Sequence, residues 1–225
     1  MNIIYLLFHG LSPYSGISKK ILHQVKGFEA CGHRVSLCTY SIADNGHRVR
    51  MINNEIIEDY GTGKPAAAKR RVSYQCIYRY AVTHQVELIY VRSFHNASLF
   101  TIRLFSKLRK AGIKIAMEIP TYPYDSEYAG FPLVTRLGIQ VDKVFRKTLA
   151  KHVNAIVTFS DYHCIFGQRT IQISNGVDFD SIPLKKTVAK NTSVIHLLGV
   201  AEVHYWHGYD RLIEGLGTYY QDPAN

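Results

Sequence analysis

From its second residue the chain repeats one rhythm: a short apolar run, a loop, then a stretch with helical period. Residues 2–8 (Asn-Ile-Ile-Tyr-Leu-Leu-Phe) form the first run, 12–18 the loop, and the helix that follows breaks near Ala30 at Cys31-Gly32. Further strands are predicted at 34–40, 87–92, 114–119, 155–159 and 170–174, with helices over 96–110 and 133–151. Apolar runs this short and continuous, each separated by a helix, are strands buried on both faces. The fold class is therefore α/β: a doubly wound, Rossmann-like parallel sheet with helices on both faces, binding ligands at the carboxyl ends of its strands. Within this rhythm, 47–52 and 55–60 flank Asn53-Asn54, a tight hairpin turn. Pro65 opens a basic helix to about His84, and a short helical turn is predicted over 162–166.

Three segments at the predicted ligand edge carry polar groups. Ser15-Gly16 sits where the first strand turns into the first helix; glycine allows close backbone approach, and a helix amino terminus offers N–H groups to phosphate. The loop has neither a dinucleotide nor a P-loop pattern, and a plain βα turn is the alternative. Glu118-Ile119-Pro120-Thr121-Tyr122-Pro123-Tyr124-Asp125 puts a carboxylate at a strand end and then aromatic and acidic groups. Rings stack on pyranose faces and carboxylates accept sugar hydroxyls, so this loop suits a sugar. Arg92 ends another strand at the same edge and suits a phosphate or an acidic sugar. His95 is either polar lining or a helix-start residue beside the cap Asn96, the second being preferred.

The excess of 27 Lys and Arg over 17 Asp and Glu, a net charge of +10, points to an anionic partner. No RRM, KH or helix-turn-helix pattern accompanies it, so nucleic acid is set aside. The eleven histidines and the scattered Cys31, Cys38, Cys76 and Cys164 show no metal spacing or disulfide framework; no metal site is predicted, and a reducing cytoplasm is the default. Residues 3–8 are too few to span a bilayer. In 133–151, Leu133, Leu137, Val141, Val144, Phe145 and Leu149 alternate with Arg136, Lys143, Arg146, Lys147 and Lys151. The preferred reading is one core face and one solvated face; the other is a helix held against anionic lipid, aided by Lys69, Arg70, Arg71 and Arg79.

Residues 1–182 form one predicted domain, 183–192 a linker with Pro183, and 193–225 a strand, a loop and an amphipathic helix with Leu212, Ile213 and Leu216. Phe159-Ser160-Asp161, Ser174-Asn175-Gly176-Val177-Asp178 and Trp206-His207-Gly208 follow the Glu-Ile-Pro-Thr-Tyr-Pro stretch in order. This succession resembles GT-B glycosyltransferases of the GT4 type, in a branch that assembles polysaccharides such as capsule.

The resemblance implies a retaining enzyme that moves a hexose from a UDP- or GDP-linked sugar to a glycan or lipid-linked acceptor. It would work in the cytoplasm, peripheral on the inner face of the membrane, without metal or other cofactor. The first domain would be the acceptor side and the last segment the start of the donor domain. Glu118 and Tyr122 then stand where relatives place a catalytic His. Gly16, Gly199, His207 and Gly208 fall on the donor phosphate, and Ser15, Arg92, His95, Tyr124 and Asp125 on the acceptor. The chain departs from the pattern at Ser15, where Gly-Gly is common, at Val200-Ala201 in place of Arg, and at His207 in place of Lys. The family's Glu-x7-Glu donor motif does not occur in the 225 residues, so a missing donor half and no activity from this chain alone are expected. Two rivals are a non-catalytic acceptor-binding or membrane-anchoring subunit of a split transferase, and a sugar-nucleotide epimerase of the same fold.

Overall fold

A computed structural model describes residues 1–93, 95–125, 133–176, 178–183, 197–199 and 207–222. The chain divides into two compact units, Met1–Ser181 and Ile182–Asn225.

In the first unit the strands are β1 (Asn2–Leu6), β2 (Arg34–Ile42), β3 (Arg48–Ile52), β4 (Glu55–Asp59), β5 (Leu88–Arg92), β6 (Lys114–Ile119), β7 (Ala155–Thr158), β8 (Cys164–Ile165) and β9 (Gln168–Gln172). Its helices are α1 (Gly16–Ala30), α2 (Gly63–Val72), α3 (Gln75–Thr83), α4 (Leu99–Lys110) and α5 (Leu133–Ala150). One sheet orders them β4-β3-β2-β1-β5-β6-β7-β9-β8. The run from β2 through β9 is parallel.

The period of two along each strand splits the core. Ile4, Leu6, Ile89, Val91, Ile115 and Met117 face one cluster, which is closed by Ile77 of α3, Phe105 of α4 and Leu149 of α5. Ile3, Tyr5, Leu7 and Tyr90 face the other, under Ile21, Val25 and Phe28 of α1. Most of the apolar layer thus lies on the α3–α4–α5 side. The opposite face rests on α1, whose fully buried apolar side chain is Ile21.

The hairpin expected from 47–52 and 55–60 forms as β3 and β4, joined through Asn53-Asn54 with φ values of 49 and 70°, and β3 also runs antiparallel to β2. Three local expectations change. At the other sheet margin β8 pairs antiparallel with β9. The helical turn expected over 162–166 is this β8–β9 hairpin, because Phe166 and Gly167 both take positive φ, as a two-residue primed turn requires. The single helix expected from Pro65 to His84 is two, α2 and α3. Ser73 is extended, and Tyr74 turns in to pack edge-on against Phe8 at 5.7 Å. The apolar row of α5 splits: Leu149 is buried and Phe145 packs against the core, alongside Ile139, Asp142 and Ala150, whereas Leu133, Leu137, Val141 and Val144 are exposed.

In the second unit α6 (Tyr209–Gln221) begins at Gly208, a left-handed residue with φ 66°. The strand expected over 193–199 lies outside the described residues up to 196. Leu197 and Leu198 are exposed and in no strand, since the unit offers no other strand among the described residues to pair with. The linker expected over 183–192 lies outside the described residues beyond Pro183. Among the described residues no helix is long and apolar enough to cross a membrane.

Candidate functional site

The carboxyl edge of β1, β5, β6 and β7, together with the amino terminus of α1, encloses a cleft of about 720 Å3. Gly10 fits the turn after β1 because an added Cβ would come within 2.9 Å of the Tyr40 carbonyl oxygen. Ser15 caps α1 in an extended conformation with no side-chain capping bond, so the first amides of the helix open on the cleft. Ser18 Oγ instead accepts from the Ser12 amide at 2.9 Å and fixes the loop. A Cβ added at Gly16 would meet nothing within 4 Å, so packing does not require glycine there.

Beneath the cleft lies a buried polar network. Arg92 and Glu118 are register partners at the ends of β5 and β6, and both are buried. Arg92 Nη1 donates to Glu118 Oε1. Tyr90 Oη donates to Glu118 Oε2 at 2.7 Å, and Gln24 Nε2 reaches the same oxygen from α1 at 2.9 Å. Tyr5 Oη donates to Gln24 Oε1 at 2.6 Å. Burial, reinforced by the Glu118 charge, pushes the Tyr5 and Tyr90 hydroxyls well above the usual phenol range, so both stay donors. The network fixes the pitch of α1 over the sheet and so the position of its amino terminus.

With Arg92 and Glu118 neutralising each other, Lys20 is the cation left uncompensated in the cleft. Its Nζ sits 3.5 Å from the centre of the Phe159 ring, and among the described residues no carboxylate lies within ion-pair distance of it. Partial burial lowers its pKa, while Glu118 raises it and Arg92 lowers it further.

The far wall is Tyr124 and His95, ring centres 4.5 Å apart. Tyr124 is braced from behind: its hydroxyl donates to Asp142 Oδ2 at 3.1 Å, and Asp142 Oδ1 accepts the Ala97 amide at 2.9 Å. Burial raises the pKa of Asp142. His95 takes a left-handed backbone at φ 46°, costly for a residue with a Cβ and concentrated at functional sites. Burial lowers its pKa, against the opposite pull of Asp142.

Of the residues singled out in sequence, Ser15, Gly16, Arg92, His95 and Tyr124 come together on this cleft. Glu118 lies under it with no exposed surface. Tyr122 packs instead among Tyr162 and Phe166, at ring distances of 4.9 and 5.5 Å. Asp125 is held away by Arg146, at 2.7 and 3.1 Å, and by Lys143 at 3.5 Å; the Arg146 hydrogen bonds hold its carboxyl below the usual range. Gly199, His207 and Gly208 belong to the second unit, where Gly199 packs under the Tyr209 ring and His207 lies 6.0 Å from it. Sequence reasoning missed Lys20, Phe159 and Asn175 as lining residues. Lys20 was within reach: it stands one turn beyond Gly16, on the same side of the helix.

Among the described residues no three His, Cys, Asp or Glu are placed to hold a metal ion. Compared with known proteins, the sequence matches no family model and no curated protein.

Proposed function

We propose that the cleft is the acceptor side of a GT4-type glycosyltransferase of polysaccharide assembly, taking a sugar joined to lipid through phosphate. The observation that carries this reading is Lys20: an uncompensated, half-buried cation between the open start of α1 and an aromatic ring, in a cleft walled by Tyr124. Lys20 and the first amides of α1 would take the phosphate. Phe159 would take a sugar face, with His95 and Ser93 at hydroxyls and the almost wholly buried Tyr124 backing the His95 ring. Bare Gly16 leaves room for the ligand to approach the backbone. Glu118 acts in this scheme by holding Arg92 and α1 in place, without touching the sugar. Donor nucleotide would be gripped elsewhere, with Gly199, His207 and Gly208 as candidates, and the reaction would retain configuration at the transferred hexose.

Calorimetric titration of the chain tests this. A short-chain prenyl diphosphate glycoside is expected to bind, and Lys20→Gln to weaken it by about tenfold or more. UDP, GDP and their sugars are expected to bind far more weakly. Tight nucleotide binding that survives Lys20→Gln, or glycoside binding indifferent to that change, would defeat the assignment.

A further inference from the structure

Arg48, Arg50, Arg70 and Arg71 converge where β3 meets α2, and their charge goes unanswered. Arg48 and Arg50 alternate along β3 and so share a face with Tyr40, the register partner of Arg50 on β2. Arg70 stands one turn after Ala66, the buried position of α2, and its guanidinium carbon lies 4.2 Å from the centre of the Tyr40 ring. Arg48 Nη1 donates to the hydroxyl of the same tyrosine at 2.7 Å. Arg71 follows near the end of the helix and is exposed.

Arg50 is 1% exposed and sits among neutral groups. Its Nη1 donates to the Leu7 carbonyl at 2.7 Å, beside Phe8, Tyr60, Cys38 and Cys76, and burial keeps the Tyr60 phenol and both thiols protonated. Its Nε has no hydrogen-bond partner among the described residues, and neither has the buried Nε of Arg70. Burial lowers the pKa of Arg70, and the like charges of Arg71, Arg48 and Arg50 lower it further. The neighbouring β4 gives Glu58 to Lys69 at 3.8 Å and Asp59 to His47 at 2.7 Å. Among the described residues no carboxylate lies within ion-pair distance of any of the four arginines. A buried cation without counter-charge and a buried donor without acceptor both cost stability, and an apolar side chain would fill the place of Arg50 better.

The missing charge selects the ligand. A lone carboxylate answers one cation, whereas a phosphoryl group brings about two charges on three oxygens that suit the planar forks of arginine. Arg50 closes the cluster from beneath, while Arg48 and Arg70 are half-buried and Arg71 is exposed, so a ligand enters from the α2 side and has to be compact. We propose that Arg48, Arg50, Arg70 and Arg71 form a binding site for a phosphoryl or pyrophosphoryl group. The site lies over β2 and β3, and none of its arginines lines the cleft. Arg50 joins the two through the Leu7 carbonyl, just before the cleft residues His9 and Gly10. The site stands whatever reaction the cleft serves.

Calorimetric titration of the full chain in phosphate-free buffer is the test, with pyrophosphate, inorganic phosphate, a hexose 1-phosphate and glucuronate as probes. Pyrophosphate is expected to bind most tightly, and glucuronate at least about tenfold more weakly. Arg70→Gln with Arg71→Gln should weaken pyrophosphate by at least about tenfold, and Arg48→Gln several-fold. Lys20→Gln, which removes any contribution of the cleft, and Lys114→Gln, an exposed position on β6, should leave this binding in place. If the double variant loses its native circular dichroism, exposed Arg71→Gln alone carries the test, with a several-fold loss expected. Hexose 1-phosphate binding tighter than inorganic phosphate identifies an esterified ligand and the reverse order a free one; either supports the site. No pyrophosphate binding by the native chain, binding that the arginine variants leave intact, equal binding of glucuronate, or binding lost with Lys20→Gln or Lys114→Gln would overturn the inference.

Discussion

Glu118 has three side-chain donors on its two oxygens and no solvent contact, so its hydrogen bonding rests entirely on Arg92, Tyr90 and Gln24. Removing one member of a buried pair leaves the other charged in a dry site. Arg92→Ala is therefore expected to cost about 3–5 kcal/mol in urea unfolding. Glu118→Gln, which keeps acceptors for its neighbours, should cost about 1–3 kcal/mol. If Arg92→Ala unfolded like the native chain, the floor of the cleft would have to be wet. Gly16→Ala makes the complementary test. The added methyl meets nothing, so stability should hold or rise by up to about 1 kcal/mol, while glycoside affinity falls. His95 supplies a pH signature. Its folded pKa lies below the ordinary 6.5, so the stability of the neutral ring is complete above that value and is lost as pH falls through the lowered one. His95→Asn, whose side chain tolerates the left-handed backbone, should lose less stability than the native chain between about pH 7 and about pH 5.

At the scale of elements, α1 is the lever that sets the cleft, and it is anchored by little. Ile21 is its fully buried apolar side chain, so Ile21→Ala should cost about 2–5 kcal/mol. It should also weaken ligand binding, because the helix start shifts with the helix; unchanged affinity in a folded variant would mean that Gln24 alone holds the pitch. The central strands and α1 were legible because Ile3–Leu6 and Leu88–Val91 are continuous apolar runs that fit only a strand buried on two faces. The face of α5 was legible only at its end, where Phe145 and Leu149 meet the core. Its periodicity gives one apolar row but not which side meets the core, and the choice is made by Asp142, which bonds Ala97 and Tyr124 far away in sequence. The site divides the same way. That Arg92 and Glu118 both end strands was readable; that they are register partners across β5 and β6, and so spend their charges on each other, was set by sheet pairing.

At the scale of the whole molecule, the last fully buried apolar side chain among the described residues is Ile165, and α6 buries none. Among the described residues the lining of the cleft ends at Asn175, and Lys26 ties the segment just beyond it to α1 through Asp178 at 2.8 Å. Cooperativity follows buried surface, and the denaturant slope scales with the surface exposed on unfolding. A chain of residues 1–181 is therefore expected to unfold in one urea transition with the slope and midpoint of the full chain, and to bind the prenyl diphosphate glycoside equally well. A slope reduced in proportion to the residues removed would show that residues 182–225 share the first unit's core. A lost or broadened transition would show that the sheet depends on them. An unchanged slope with lost binding would separate the two questions, placing part of the ligand's hold outside the first unit while leaving its fold self-sufficient.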